Sequence, residues 1–167
     1  MICLAAAVPA RAQPTEEAVK ATFLPKFARY VGWPAASQPG AGAPFTLCAI
    51  GRDPFGPMLD RAAAAEQIDG RGVVVRRLPD ERGAAACHLA YVQGRQPADT
   101  GRLLLALRTM PVLTITDARA GPQRGMIHFT NLSGRVRFFI NDAEAAQRGL
   151  TISSRLLALA AGVTQRR

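Results

Sequence analysis

The stretch from residue 125 to residue 160 constrains the fold more than any other part of the chain. Two β-prone runs, residues 126–130 and 135–140, flank a short polar turn that ends in Gly134, a pattern typical of a β-hairpin. Side chains of a strand alternate between its two faces. In the second run, one face carries Val136, Phe138 and Ile140, and the other carries Arg135, Arg137 and Phe139.

Two short helices are predicted after this hairpin. Asn141 is a typical helix N-cap, and Glu144 at the third helical position can close a capping box with it. Gly149 is the residue type at which such a helix stops. Ser153 can cap a last helix, whose apolar residues recur every three or four positions and form one stripe. The stripe consists of Leu156, Leu159, Ala160 and Val163.

Strand-like and helix-like segments alternate through the rest of the chain. Strands are predicted at residues 45–50, 72–78, 88–92 and 112–116, and helices at residues 57–65 and 98–108. This alternation predicts an α/β layered sandwich with a mixed, mainly parallel sheet, helices on both faces and a C-terminal β-hairpin. A length of 167 residues suits one domain, which we expect to span residues 13–167.

A helix is also predicted at the N-terminal side of this domain, where an acidic first turn follows Thr15. Pro25 lies inside it and cannot donate to the carbonyl of Ala21, so we expect a kink, or a helix that ends and restarts near Leu24. The aromatic residues of this segment form either core or a partly exposed patch for a partner. They are Phe23, Phe27, Tyr30 and Trp33.

Residues 1–12 resemble the end of a secretory signal peptide. Residues 2–8 form a short apolar run, and Ala10-Arg11-Ala12 matches an Ala-x-Ala cleavage site, although a basic segment before the apolar run is missing. We therefore expect export, with cleavage near Ala12. No other run is long and apolar enough to span a bilayer, so the mature protein is not expected to be membrane-spanning.

Export would leave Cys48 and Cys87 in an oxidising compartment. Both occupy strand-like positions, where they serve either as small buried apolar residues or as the halves of a disulfide. We expect the disulfide. Its closed loop of about 40 residues would stabilise the fold by roughly 4 kcal/mol in the chain-entropy estimate.

The formal net charge of +9 is carried almost entirely by arginine. The arginines are scattered along the chain, whereas nucleic-acid-binding proteins usually cluster basic residues on one face or helix. A basic surface that meets an acidic partner or anionic lipid headgroups, or a charge without a role, is favoured over nucleic-acid binding.

No motif for catalysis or for a bound cofactor stands out. His88 and His128 lie in predicted strands and are expected in the core; without a Cys-x-x-Cys pair they do not complete a zinc site. Ser153 lacks the Gly-x-Ser-x-Gly setting of a nucleophile. The loop at residues 51–56 lacks the Gly-Lys-Ser/Thr of a phosphate-binding loop. We therefore predict no enzyme activity, no metal site and no cofactor.

The C-terminal stretch resembles the signature of the YfiR family. That signature is roughly a Gly-Met-Ile-Asn-Phe strand, a Val-Arg-Phe-Glu-Ile-Asn strand and then Gly-Leu-x-Ile-Ser-Ser-Lys/Arg-Leu-Leu. The chain departs from the family at Pro25, where an aromatic residue is usual, and at Phe139, where glutamate is common. Further matches lie at residues 19–34, 47–48, 53–56 and 111–117.

The resemblance implies a small secreted α/β protein of the periplasm. Such proteins bind the periplasmic sensor part of an inner-membrane diguanylate cyclase and inhibit it, which lowers cyclic di-GMP and disfavours biofilm. Related sensor proteins, such as membrane histidine kinases, are alternative partners. Two further possibilities stay open: a homodimer, and a periplasmic small-ligand sensor or binding protein that feeds a membrane kinase.

Two sets of candidate residues follow. Arginines and aromatic residues are enriched at interface hot spots, which nominates four residues for contact with a partner. They are Arg29, Tyr30, Trp33 and Phe139. Three polar residues of the signature stretch could instead converge on an anionic or aromatic ligand. They are Arg137, Asn141 and Arg155.

Overall fold

The computed structural model describes residues 13–166, so the expected signal segment at residues 1–12 and its cleavage site lie outside the described residues. The helices in this range are α1 (Glu16–Lys26), α2 (Pro57–Ala64), α3 (Pro97–Ala106), α4 (Asp142–Gln147) and α5 (Ser154–Leu159). The strands are β1 (Val31–Gly32), β2 (Phe45–Gly51), β3 (Gln67–Ile68), β4 (Arg71–Leu78), β5 (Leu89–Gln93), β6 (Leu113–Asp117), β7 (Ile127–Leu132), β8 (Arg135–Asn141), β9 (Thr151–Ile152) and β10 (Gly162–Thr164).

Eight of these strands form one sheet in the order β10-β8-β7-β6-β5-β2-β4-β3. The five adjacent strands β7, β6, β5, β2 and β4 are parallel to one another, and β10 pairs in parallel with β8. The β7–β8 and β3–β4 pairs are antiparallel. The predicted mixed, mainly parallel sheet with a C-terminal hairpin is thus confirmed. A separate two-stranded pair joins β1 to β9.

The two faces of the sheet carry separate apolar clusters, because successive residues of a buried strand point in opposite directions. Leu47 of β2 lies in the larger cluster with α1, α2 and α5. Its neighbour Cys48 lies in the smaller cluster, which Leu107 at the end of α3 closes. Within the larger cluster the ring of Phe27 lies edge-on to Phe138, with centroids 5.4 Å apart. The helices therefore cover both faces, as predicted.

The hairpin turns through two residues, since Leu132 pairs with Arg135. Ser133 and Gly134 both have positive φ, at 53° and 78°, which is the backbone form that a tight two-residue hairpin turn requires. The side-chain oxygen of Asn131 accepts a hydrogen bond of 2.9 Å from the N–H of Gly134. The predicted division of faces holds, because Phe138 and Ile140 are buried while Arg135 and Arg137 are exposed.

A disulfide joins Cys48 of β2 to Cys87, which lies just before β5. The two Cα atoms are 5.9 Å apart, within the usual range for a disulfide. Neighbouring parallel strands bring the two residues together, because Leu47 of β2 is in register with Leu89 of β5. The expected bridge is therefore present, on the face of the sheet that α3 covers.

Helix α1 continues through Pro25 to Lys26 and then tightens into a 3-10 helix at Phe27–Tyr30. The expectation of a helix that ends and restarts near Leu24 is therefore close: the α-helix ends two residues later, at Lys26, and the 3-10 helix begins at Phe27. Pro25 occupies the last turn of α1, so the hydrogen bond that proline cannot make is one of the final bonds of the helix. Both Leu24 and Pro25 are buried against the sheet.

The prediction of an apolar stripe on the C-terminal helix is only partly correct. Leu156 is buried, but α5 ends at Leu159, whose side chain is 58% exposed. Val163 lies in strand β10 instead of a helix. The chain leaves the helix because β8 offers an unpaired backbone edge: the N–H of Ala161 donates to the carbonyl of Phe138 at 2.8 Å, and β10 follows in register.

Candidate functional site

Trp33, the first partner candidate, lies in the core with a side chain that is 6% exposed. Its indole N–H donates to the carbonyl oxygen of His88 at 3.2 Å. Its ring packs against Phe45, with centroids 5.5 Å apart. Of the two predicted roles for this residue, core packing is the one that the structure shows.

Arg29 and Tyr30 lie on the 3-10 helix that follows α1. Arg29 is exposed, and its guanidinium forms an ion pair of 2.9 Å with Glu66 and donates to the carbonyl of Gln67 at 3.2 Å. Tyr30 is half-buried at the margin of the larger apolar cluster. Both residues reach the surface on the face of the sheet that α1 covers.

Phe139 lies on the opposite face of the sheet, because its neighbour Phe138 points into the cluster beneath α1. The guanidinium carbon of Arg124 lies 5.4 Å above the ring centroid of Phe139, a cation–π distance. Gly162 of the adjacent strand packs against the same ring; a Cβ there would lie 2.9 Å from the ring carbon Cδ1. Phe139 is therefore half-exposed on a different face from Arg29 and Tyr30.

The three ligand candidates are not brought together. Arg137 is exposed on the same face as Phe139, and Arg155 is exposed on α5. Asn141 caps α4 as predicted: its side-chain oxygen accepts a hydrogen bond of 3.0 Å from the N–H of Glu144. Asn141 lines two cavities, but neither arginine lines them. The geometry gives no specific support to a ligand site built from these three residues.

The glycine-rich loop after β2 is occupied by its own side chains. The carboxylate of Asp53 accepts hydrogen bonds of 2.8 Å and 3.2 Å from the N–H groups of Phe55 and Gly56, the donors that a phosphate would need. Arg77 of β4 then binds both Asp53 and Asp60. The hydrogen bond from Arg77 lowers the pKa of Asp60, and the two carboxylates raise the pKa of Arg77. The loop is a structural clamp between β4 and α2.

The two histidines are packed inside the fold. The Nδ1 atom of His88 accepts a hydrogen bond of 2.9 Å from the N–H of Thr46, and the Nδ1 atom of His128 lies 2.8 Å from the hydroxyl of Thr116. Burial lowers the pKa of His88. Burial and the nearby Arg124 guanidinium lower the pKa of His128. The lowered pKa favours the neutral form of both imidazoles. His128 is buried, as expected, whereas His88 is only half-buried.

No pattern in the sequence indicates the open groove between α3 and α4. Its main cavity has a volume of about 870 Å³ and adjoins a second cavity of about 300 Å³ over β8 and β10, since Arg124, Asn141 and Thr164 line both. Arg108, just after α3, and Leu105 line the larger part. Arg108 and Arg124 are 16 positions apart and meet only through the tertiary fold, so no local pattern could have found them.

Within residues 13–166, no three His, Cys, Asp or Glu side chains are grouped so that they could hold a metal ion. Over the same range, none of the helices has the length and hydropathy needed to cross a bilayer.

Comparison with known protein families gives a match. A family model described as YfiR/HmsC-like matches residues 17–161, which is most of the chain and includes every helix from α2 to α5. No curated protein matches the chain.

Proposed function

The chain belongs to the YfiR/HmsC-like family, and we propose that it is a periplasmic protein that binds the sensor part of an inner-membrane diguanylate cyclase and lowers its activity. Members of this family are regulators of diguanylate cyclase signalling. The observation that carries the proposal is the family match over residues 17–161, because it covers the hairpin, the two capped C-terminal helices and every strand of the sheet except β10.

The disulfide supports the proposed location outside the cytoplasm. Cys48 and Cys87 are both almost fully buried, and structural disulfides persist in oxidising compartments such as the bacterial periplasm. The proposal also uses the expected signal segment at residues 1–12, with cleavage near Ala12. An exported domain of this kind can meet the periplasmic part of a membrane protein without itself crossing the membrane.

Three of the four nominated residues are placed where a partner could touch them. Arg29 and Tyr30 reach the surface beside α1, and Phe139 is half-exposed on the other face of the sheet. These two surfaces lie on opposite faces of the sheet, so we expect the membrane protein to bind only one of them. Trp33 is buried in the apolar cluster that Tyr30 borders and is therefore not a surface contact.

The deciding experiment is a measurement of cellular cyclic di-GMP after deletion of the gene in its native host. We expect cyclic di-GMP to rise, because an inhibitor has been removed, and to return to its original level when the partner cyclase is deleted as well. Complementation by the full chain should restore repression. Complementation by residues 13–167 without a signal segment should not, because that protein stays in the cytoplasm.

A contrary result would be an unchanged cyclic di-GMP level together with no membrane protein crosslinked to the purified chain. That combination would remove the cyclase as a partner. The proposal makes no use of catalysis by this chain, so the same strains can be scored directly for biofilm without a substrate assay.

A further inference from the structure

The groove between α3 and α4 has one wall from each helix. One wall is the C-terminal half of α3 with Leu104, Leu105 and Arg108. The other is α4, and the groove opens toward Arg124 and the edge strand β10. Its two adjoining cavities, about 870 Å³ and about 300 Å³, lie side by side, and the larger alone is near the upper size of a small-molecule pocket. The space suits an extended chain segment.

The groove is cationic. Arg108 and Arg124 are both exposed, and within residues 13–166 neither forms an ion pair. Arg148, which also lines the groove, differs: its side chain is buried, pairs with Glu144 and donates to the carbonyl of Leu107 at 3.0 Å. The charge of Arg148 is therefore balanced inside the protein, whereas the charges of Arg108 and Arg124 face the open space.

Apolar surface and an unpaired polar atom lie beside these charges. Leu105 is 60% exposed and lines the groove. The ring of Phe139 lies beneath the Arg124 guanidinium in the smaller cavity. The side-chain oxygen of Gln123, also at the groove, is buried and has no hydrogen-bond partner in the described range.

From these contacts we infer that the groove binds an extended acidic segment of a protein partner. Carboxylates of the segment pair with Arg108 and Arg124, and an apolar side chain covers Leu105. Complementary charge and an exposed apolar anchor each match one part of such a peptide. The inference rests on the proposed function, since it gives the partner's chemistry and its place of contact, on the Phe139 face of the sheet.

The test uses the purified full chain and two synthetic peptides with blocked ends, one of alternating Glu and Leu and one of alternating Lys and Leu. Backbone amide shifts locate the binding, and calorimetry measures its affinity. The variant Arg108→Glu/Arg124→Glu reverses both groove charges. The control Arg61→Glu/Arg135→Glu makes the same change in net charge at two exposed arginines that do not line the groove.

We expect the acidic peptide to shift amides along α3, α4 and residues 123–125, and the basic peptide to have no effect. Reversal of the groove arginines should weaken binding at least about tenfold, while the control keeps the original affinity. Three results would overturn the inference. They are equal losses in both double variants, shifts located elsewhere, and binding of free glutarate as tight as that of the peptide, which would indicate a small-anion site.

The groove and the proposed function can fail separately. If Arg108→Glu/Arg124→Glu still represses cyclic di-GMP fully in the host, the groove is not the contact, and the regulatory role stands. If deletion of the gene leaves cyclic di-GMP unchanged but the peptide binds as expected, the groove is a binding site, and the cyclase is not its partner.

Discussion

The ammonium of Lys20 and the carboxylate of Asp117 lie 2.5 Å apart, in a pair that joins the middle of α1 to the end of β6. Lys20 is only 1% exposed and also pairs with Glu16, one turn earlier on α1. A hydrogen bond from Lys20 lowers the pKa of Glu16. The buried pair therefore fixes how α1 lies across the sheet, and so where the Arg29 and Tyr30 surface stands.

Removal of the Lys20 charge should destabilise the protein strongly. Lys20→Met leaves Asp117 buried without its counter-ion, and we expect a loss of about 3–5 kcal/mol in the free energy of unfolding. Urea unfolding measures this loss. Lys26→Met is the matched control, because Lys26 is exposed, and should change stability by no more than about 0.5 kcal/mol. Equal effects of the two variants would show that Lys20 is not a buried charge.

Loss of the disulfide should lower stability by about 4 kcal/mol, because a loop of 39 residues is released in the unfolded chain. Comparison of Cys48→Ala/Cys87→Ala with the wild type by urea unfolding gives the value. Alkylation of unreduced protein followed by peptide mapping is the independent check. Alkylated Cys48 or Cys87 in freshly exported protein would contradict the bridge.

The two histidines should make stability depend on pH. Burial lowers the pKa of both His88 and His128 below the ordinary value of 6.5, so the unfolded chain binds protons that the folded chain does not. The free energy of unfolding is therefore not reduced by these residues above about pH 6.5. It decreases as the pH drops from there toward the folded-state pKa values. Unfolding in urea at several pH values between 5 and 8 measures the slope.

The double variant His88→Gln/His128→Gln serves as the reference for that slope. It removes both titrating groups, so its stability should vary less between pH 5 and pH 8 than that of the wild type. An NMR titration of the imidazole protons supplies the pKa values directly. Values at or above 6.5 for both histidines would rule out burial as the cause.

The two adjacent serines before α5 should differ in their contribution. Ser153 caps the helix by accepting a hydrogen bond of 3.3 Å from the N–H of Leu156, whereas Ser154 is exposed at the first helical position. Ser153→Ala should therefore cost about 1 kcal/mol, and Ser154→Ala should be close to neutral. Thermal unfolding of the two variants side by side makes the comparison. A larger effect at Ser154 would place the helix start one residue later.

Features governed by neighbouring residues were predictable from the sequence. The caps at Asn141 and Ser153 and the hairpin turn at Gly134 obey rules that involve only a few adjacent positions, and the structure shows all three. The α/β alternation likewise predicted the sheet. Leu159 and Val163 were misassigned because the decisive interaction is distant: the open edge of β8 draws the chain out of its helix.

The surface features were the least predictable. Composition could nominate Trp33 and Phe139 as exposed aromatic residues, but only the folded structure separates a core indole from a half-exposed ring. Arg108 and Arg124 have no common pattern in the sequence, because one follows α3 and the other precedes β7. Lys20 looks like an ordinary helix-surface lysine until the fold brings Asp117 to it.

The close packing of Phe139 on Gly162 has an evolutionary consequence. Any side chain at position 162 would place its Cβ 2.9 Å from the aromatic ring, so while the ring is present only glycine is accommodated there without movement. A relative with glutamate in place of Phe139 lacks that ring and is released from this restriction. The two positions should thus change together across the lineage, with glycine retained wherever the aromatic residue has been acquired.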